Sequence, residues 1–138
     1  MEIKNKISAD DLLEIYEISK QQFGAESWTF EQFENSYSSP TTIFLVMKTE
    51  TIKSFLVAQD CVDSFDLLLV ATSESDKRKG LASALLSELE KFKKPIFLEV
   101  KESNVPAQKL YESKDYKLIS RRKNYYKNGE DALIFQKK

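Results

Sequence analysis

The chain has 138 residues, of which 41% are hydrophobic and 31% charged, a balance typical of one globular domain with its own core. A formal net charge of −1 argues against direct nucleic-acid binding, which usually requires a basic excess. The absence of histidine excludes Ser-His-Asp catalysis and the common zinc sites, so we expect no metal.

The first half of the chain predicts two capped helices between β-strands. A short strand at residues 2–6 precedes a helix that begins after Ser8, with Asp11 completing a capping-box pattern. A second helix is predicted after Thr29, with Gln32 in the matching position. Short connections, as in antiparallel hairpins, join the three β-like runs that follow. These runs are residues 42–47, 52–59 and 65–71.

The second half predicts helices alternating with strands and then a hairpin. Leu81, Leu85, Leu89 and Phe92 recur at helical spacing and predict the buried face of a helix over residues 80–93. Strands joined by helices pair in parallel, whereas strands joined by hairpins pair antiparallel. The fold class is therefore α/β, with a single mixed, mostly antiparallel central sheet flanked by helices in one domain, residues 1–138. The later elements are a strand at 96–101, a helix at 105–113 and hairpin strands at 116–123 and 132–136.

Cys61 is the one cysteine of the sequence and has no partner for an internal disulfide. We expect a buried or half-buried structural thiol, because a catalytic cysteine would lack a histidine base. The N-terminal residues lack the apolar stretch of a signal peptide, and no apolar run approaches the ~20 residues that span a bilayer. These features predict a soluble, cytoplasmic protein that does not associate with membranes.

A strand that runs into a basic turn and then into a helix is the most informative segment. Lys77, Arg78 and Lys79 precede Gly80, where free backbone N–H groups and the helix dipole favour an anion. Taken alone, this turn is weak evidence for an anion site, and a helix start whose charges are solvated is the simpler explanation. Residues 77–82, Lys-Arg-Lys-Gly-Leu-Ala, resemble the acetyl-CoA pyrophosphate loop of the GNAT acetyltransferases, with Lys77 where Gln or Arg is usual.

Two later segments resemble one branch of that family, the ribosomal-protein-alanine N-acetyltransferases. Residues 98–111 are similar to its Leu-Glu-Val-Arg-x-Ser-Asn-x-x-Ala-x-x-Leu-Tyr segment, with Lys101 in place of Arg. Residues 121–133 resemble its hairpin, in which an Arg-x-Asn-Tyr-Tyr motif is followed by Gly-Glu-Asp-Ala. Residues 26–29 correspond to its Pro-Trp-Ser/Thr element but lack the Pro. Without the resemblance, Glu99 is compatible with an ion-paired surface acid and Tyr111 with a core aromatic residue.

The resemblance implies the GNAT fold and direct transfer of acetyl from acetyl-CoA to the N-terminal amine of a protein, an alanine of a small-subunit ribosomal protein. Glu99 would be the general base and Tyr111 the general acid. Asn104 would hold the cofactor, as would a strand bulge whose amides face the thioester. The other implied cofactor-binding residues are Val70, Ala71 and Thr72 of that bulge, then Lys77, Arg78, Lys79, Gly80, Leu81, Ala82 and Ser83. The implied substrate-binding residues are Trp28, Tyr125 and Tyr126.

Several alternatives stay open at this point. An α-amine titrates near ~8 and a lysine near ~10.4, so an α-amine costs roughly 3 kcal/mol less to deprotonate, which favours an N-terminal acceptor. A lysine or a small-molecule amine is the alternative acceptor, and a CoA-binding interaction module without catalysis is the alternative class. The related branch associates with tRNA-modification proteins, which the basic run 117–127 could dock, or that run could be a solvated strand face. Tyr125 and Tyr126 could wall a peptide channel or pack on the sheet.

Overall fold

A computed structural model describes residues 2–138, and its element order agrees with the predicted one. The strand at 96–101 and the helix at 105–113 have the predicted bounds, and the other elements differ by a few residues at their ends. The helices are α1 (Ala9–Phe23), α2 (Phe30–Ser38), α3 (Leu81–Glu90) and α4 (Val105–Ser113), with 3-10 turns at Gly24–Glu26 and Glu74–Asp76. The strands are β1 (Glu2–Lys4), β2 (Thr42–Lys48), β3 (Ile52–Asp60), β4 (Phe65–Thr72), β5 (Ile96–Lys101), β6 (Lys117–Arg122) and β7 (Ala132–Lys137).

Both predicted capping boxes form. Ser8 N–H donates to Asp11 Oδ2 at 2.9 Å, and Asp11 N–H donates back to Ser8 Oγ at 3.3 Å. The same exchange joins Thr29 and Gln32 at 2.7 and 3.1 Å. Each pair satisfies backbone donors that have no partner within the helix, which fixes where α1 and α2 begin.

The strands of residues 2–138 form one mixed sheet in the order β1-β2-β3-β4-β5-β7-β6, parallel between β4 and β5 and antiparallel elsewhere. Strands β4 and β5 pair from Phe65–Ile96 to Leu67–Leu98. Beyond that point β4 remains hydrogen-bonded to β3, and β5 remains hydrogen-bonded to β7. The two middle strands therefore separate, and we call this opening the split.

A β-bulge lies at the start of the split. On β3, Val57 faces Leu69 and the next residue, Ala58, faces Leu67, so Leu68 is the extra residue of β4. A bulge increases local twist and leaves its extra residue outside the ladder. The predicted position of the bulge is therefore corrected, because β3 pairs in regular register with Val70, Ala71 and Thr72.

Two apolar layers cover the sheet. Helices α3 and α4 pack on one face, where Leu85 and Leu89 are fully buried, and α1 and α2 pack on the other around Ile15, Phe33 and Phe55. This alternation follows from the strands, whose successive side chains point to opposite faces. The core therefore lies on both faces of the sheet.

Two predictions about buried side chains are wrong. Phe92 is 59% exposed, because α3 ends at Glu90 and the ring only meets Phe65 edge-on at a centroid distance of 5.6 Å. Cys61 is also exposed, since it lies in the surface connection between β3 and β4. Its thiol donates weakly to Asp66 Oδ2 at 3.7 Å, and partial desolvation of the thiol together with the Asp66 carboxylate raises the thiol pKa.

Candidate active site

A groove of about 510 Å³ opens where the split meets the face that α3 and α4 cover. Strand β4, the basic turn, the first turn of α3 and one side of α4 wall it. The groove brings together most of the predicted cofactor residues with Tyr111. Those lining it are Val70, Ala71, Thr72, Lys77, Arg78, Gly80, Leu81, Ala82, Ser83 and Asn104.

Gly80 occupies the N-cap position of α3 with a left-handed backbone, at φ 76° and ψ 17°. A Cβ added there would meet nothing within 4 Å, so the positive φ and not crowding favours glycine. No side chain caps this helix start among the described residues. The first N–H groups of α3 thus remain available to an anion in the groove.

The three basic residues of the turn have different surroundings. Lys77 pairs with Glu74 at 2.9 Å, and Lys79 pairs with Asp76 at 3.1 Å. Asp76 is buried and also accepts a 2.5 Å hydrogen bond from Ser73, and these two partners lower its pKa. The side chain of Lys79 does not line the groove, unlike that of Arg78, which forms no ion pair with any residue in 2–138. Arg78 is therefore the cation most available to a ligand.

Tyr111 projects from α4 into the groove and is 6% exposed. Its ring meets Tyr116 edge-on at 5.6 Å, and burial raises the pKa of its hydroxyl. The hydroxyl therefore carries its proton at neutral pH, as a general acid requires. Asn104 caps the same helix through Oδ1, which accepts from Ala107 N–H at 3.2 Å, and it also lines the groove.

Glu99 lies on the opposite face of the sheet. Its neighbours Leu98 and Val100 point into the core under α3 and α4, so the Glu99 side chain points away from that core. There it lines a second cavity of about 400 Å³, where Arg122 Nη1 lies 3.5 Å from Glu99 Oε1. The other residues of this cavity are Asp66, Leu67, Leu68, Phe97, Leu98 and Ile134.

The groove and the second cavity share three walls, Leu67, Leu68 and Leu98. These are the last paired residues of β4 and β5 and the bulge residue beside them. The two spaces thus adjoin at the split, with Tyr111 on one side of the sheet and Glu99 on the other. This arrangement suits a transfer in which one reactant enters from each face.

The predicted substrate residues do not line the second cavity. Tyr125 and Tyr126 follow the end of β6 and stand in the β6–β7 loop with their rings 5.2 Å apart, so packing on the sheet, one of the two alternatives left open, is not what the structure has. The Arg122 guanidinium lies 5.4 Å from the Tyr125 ring, and Lys101 Nζ lies 5.1 Å from the Tyr126 ring. Trp28 packs against Phe33 at 5.2 Å in the core under α1 and α2.

Lys101 connects the two loops beside the second cavity. Besides contacting Tyr126, its ammonium pairs with Glu26 in the connection between α1 and α2. The connection between α1 and α2 is thus joined to the β6–β7 loop through Lys101. Trp28 follows Glu26 by two residues but makes its aromatic contact with Phe33.

Several functional positions were missed from the sequence. In the groove these are the apolar walls and Asp76, and in the second cavity they are Asp66 and Arg122. Asp66 carried one usable signal, a carboxylate between Phe65 and Leu67 in a strand whose alternate residues are buried. The unpredicted groove residues are Gln22, Phe23, Leu67, Leu68, Leu69, Asp76, Leu98, Pro106, Ala107 and Leu110.

The described residues show neither a membrane-spanning helix nor a metal-binding cluster. Across residues 2–138 no helix is both long and apolar enough to cross a bilayer. The described part of the chain also contains no group of three or more His, Cys, Asp or Glu side chains arranged to hold a metal ion.

Comparison with known proteins identifies the family. Residues 9–116 match the Acetyltransferase (GNAT) family. The chain is 29% identical to the ribosomal protein bS18-alanine N-acetyltransferase of Escherichia coli strain K12, over 94% of this chain and 93% of that protein. It is 41% identical to an N-alpha-acetyltransferase of Saccharolobus solfataricus over 71 residues, which are 47% of this chain and 42% of that relative.

The fold comparison agrees. The crystal structure of the ribosomal-protein-S18-alanine N-acetyltransferase from Escherichia coli matches with a TM-score of 0.85 and 30% identity, over 98% of this chain and 91% of that one. This agreement covers all the elements that form the split. The chain therefore belongs to the GNAT acetyltransferase family and is an acyltransferase.

Proposed function

We propose that this protein, as one GNAT domain over residues 1–138, transfers acetyl from acetyl-CoA to the N-terminal amine of a protein. The main support for this proposal is that the groove and the second cavity adjoin at the split, with Tyr111 on one side and Glu99 on the other. The proposed acceptor is the N-terminal alanine of ribosomal protein bS18, the acceptor for which the similar Escherichia coli enzyme is named.

The groove has the features that acetyl-CoA needs. The uncapped first turn of α3 and the Arg78 guanidinium suit a pyrophosphate, and the apolar walls Val70 and Leu110 suit an uncharged arm. Lys77, Gly80, Leu81, Ala82 and Ser83 would surround the phosphates, while Ala71, Thr72 and Asn104 would line the arm. Bound there, acetyl-CoA supplies an acetyl group activated as a thioester. Lys79 would act indirectly, by pairing with Asp76 and holding the turn.

Two side chains would move protons. Glu99 is exposed on the second cavity, where its carboxylate can accept a proton from an acceptor ammonium. Tyr111 holds a proton on the groove side, where it can donate to a departing thiolate. Opposite placement keeps the base and the acid apart, so that neither neutralises the other.

The N-terminal amine is favoured as acceptor over a lysine amine by two arguments. It needs roughly 3 kcal/mol less to be deprotonated at neutral pH, so one exposed carboxylate serves it more readily than it serves a lysine amine. One of the two similar relatives is named an N-alpha-acetyltransferase, and the other is named for acetylating an alanine, a residue without a side-chain amine. Tyr125 and Tyr126 would flank the acceptor from the β6–β7 loop, and Trp28 would hold the facing connection between α1 and α2.

An acetyl-CoA consumption assay tests the proposal with three acceptors. These are an Ala-starting peptide, the same peptide with a blocked N-terminus and an internal lysine, and a polyamine. We expect the free Ala peptide to react, with mass spectrometry locating acetyl on its α-nitrogen. Exclusive reaction of the blocked peptide or the polyamine would show that the acceptor assignment is wrong.

A protein-docking role is the second candidate, and strand β6 supports it. All six residues of this edge strand are exposed, including Leu118 at 53% and Ile119 at 50%. An edge strand with apolar side chains and a row of basic ones can pair with another protein. A tRNA-modification protein is the partner that the family resemblance implies. Binding of acetyl-CoA without turnover of any acceptor would favour this interaction role over catalysis.

A further inference from the structure

The second cavity contains more negative than positive charge. Two carboxylates, Asp66 and Glu99, face one guanidinium, Arg122, which pairs with Glu99 at 3.5 Å. Asp66 has no ion pair with any described residue, and its carboxylate accepts a weak bond from the Cys61 thiol at 3.7 Å. The cavity therefore retains one carboxylate whose charge no cation of residues 2–138 offsets.

The sheet register places Asp66 at a defined distance from the proposed base. Asp66 pairs with Phe97 in the parallel ladder, so it shares a face with Glu99, two residues further along β5. Ordinary strand spacing puts the two Cα atoms about 8 Å apart. Asp66 is the more distant of the two from the split, because the ladder ends at Leu67–Leu98.

An acceptor that fills the second cavity with its amine at Glu99 would bring an adjoining side chain near Asp66, because both carboxylates line that cavity. A separation of about 8 Å is within reach of a long side chain on one of the next two residues of an extended peptide, in which each residue adds ~3.3 Å. A positive side chain there would meet the unpaired carboxylate. A negative one would meet repulsion from both acids.

We propose that Asp66 is a specificity-determining residue that favours acceptors with an arginine or lysine at their second or third position, a proposal that rests on the proposed function. Because Asp66 is exposed, the preference is modest, about fivefold in kcat/KM, as expected for a solvent-exposed ion pair. Added salt reduces it, since mobile ions screen exposed charges.

The test uses Ala-starting peptides of identical composition with a single arginine. The arginine stands at the second position, at the third, or near the C-terminus, and it cannot itself be acetylated under these conditions. Wild type is expected to use one or both of the first two peptides about fivefold better than the last one. In Asp66→Asn the ratio should fall to about one.

Asp63→Asn is the matched control, since it removes the same charge from an exposed residue in the β3–β4 connection, outside the cavity. It should keep the wild-type ratio. Comparing peptides within each variant removes any general loss of stability or of acetyl-CoA binding. A wild-type ratio near one, or a preference that survives in Asp66→Asn, overturns the assignment of Asp66 and leaves the proposed function intact. Failure of all three peptides with wild type overturns both.

Discussion

The two sides of the split are built in different ways. The groove is formed by backbone and buried groups: the left-handed Gly80, the free amides of α3 and the buried Tyr111. The second cavity and its borders depend on exposed side chains, among them Glu99 and the half-exposed Tyr125. The fold thus determines how one reactant is held, while a few exposed side chains determine how the other reactant is held. Substitutions should separate these two contributions.

The largest effects are expected from the proposed acid and base. Tyr111→Phe and Glu99→Gln should each lower kcat by about 100-fold or more, because each removes a proton donor or acceptor from the reacting atoms. The dissociation constant of acetyl-CoA, measured by calorimetry, should change little in either variant. Steady-state kinetics with the Ala-starting peptide measures the loss.

Tyr116→Phe is the matched control for Tyr111→Phe. The Tyr116 ring lies 5.6 Å from that of Tyr111, but its hydroxyl donates to Glu90 Oε2 at 3.1 Å and the residue does not line the groove. This variant should lose about 1 kcal/mol of stability and keep its turnover. Unchanged turnover in Tyr111→Phe would remove the acid role of that residue.

Two glycines allow a smaller, paired comparison. Gly80 has φ 76° beside the groove, and Gly129 has φ 87° in the β6–β7 loop; a Cβ on either meets nothing within 4 Å. Alanine at each should cost about 1 kcal/mol through backbone strain. We expect Gly80→Ala to raise the dissociation constant of acetyl-CoA about fivefold and Gly129→Ala to raise the KM of the peptide by a similar factor. If both variants affect the same reactant, the division between the two sides is wrong.

The smallest effect is expected on protein stability at alkaline pH, which should show that the Tyr111 hydroxyl is buried. Burial raises the pKa of Tyr111 above its ordinary value of 10.0, so the folded state retains a proton that the unfolded state has lost. The free energy of unfolding must therefore decrease as the pH rises above about 10. Urea titrations should show a shallower decrease for Tyr111→Phe than for wild type. An equal decrease would mean that Tyr111 is more accessible than its 6% exposure indicates.

The sequence predicted those features whose signals lie close together along the chain. Ser8 with Asp11 and Thr29 with Gln32 determine helix starts across three residues, and Asn104 caps α4 in the same way. The placement of Tyr111 beside Asn104 followed from helical spacing alone. The basic turn and the two helix starts were therefore predictable from local signals, while the resemblance to the GNAT family supplied the assignment of the turn to a cofactor.

Features that depend on distant strands were not predictable. The bulge at Leu68 results from the register between β3 and β4, and a shift of one residue is invisible in the local pattern. The meeting of Asp66 with Arg122 needs β4, β5, β7 and β6 in their final order. Lys79 was assigned to the ligand because the sequence does not show that Asp76 is buried beside it.

The split also has a mechanical consequence. Strands β1 to β4 are joined to β5 to β7 by a parallel ladder that ends after Leu67–Leu98, so only a short run of backbone pairing connects the two parts of the sheet. A molecule that fills the groove would contact Val70 in the first part and Asn104, which follows β5 in the second. Its binding should therefore add a connection between the two parts and about 2.7 kcal/mol of stability at a concentration of 100 times its dissociation constant. Amide exchange should then slow in both parts at once.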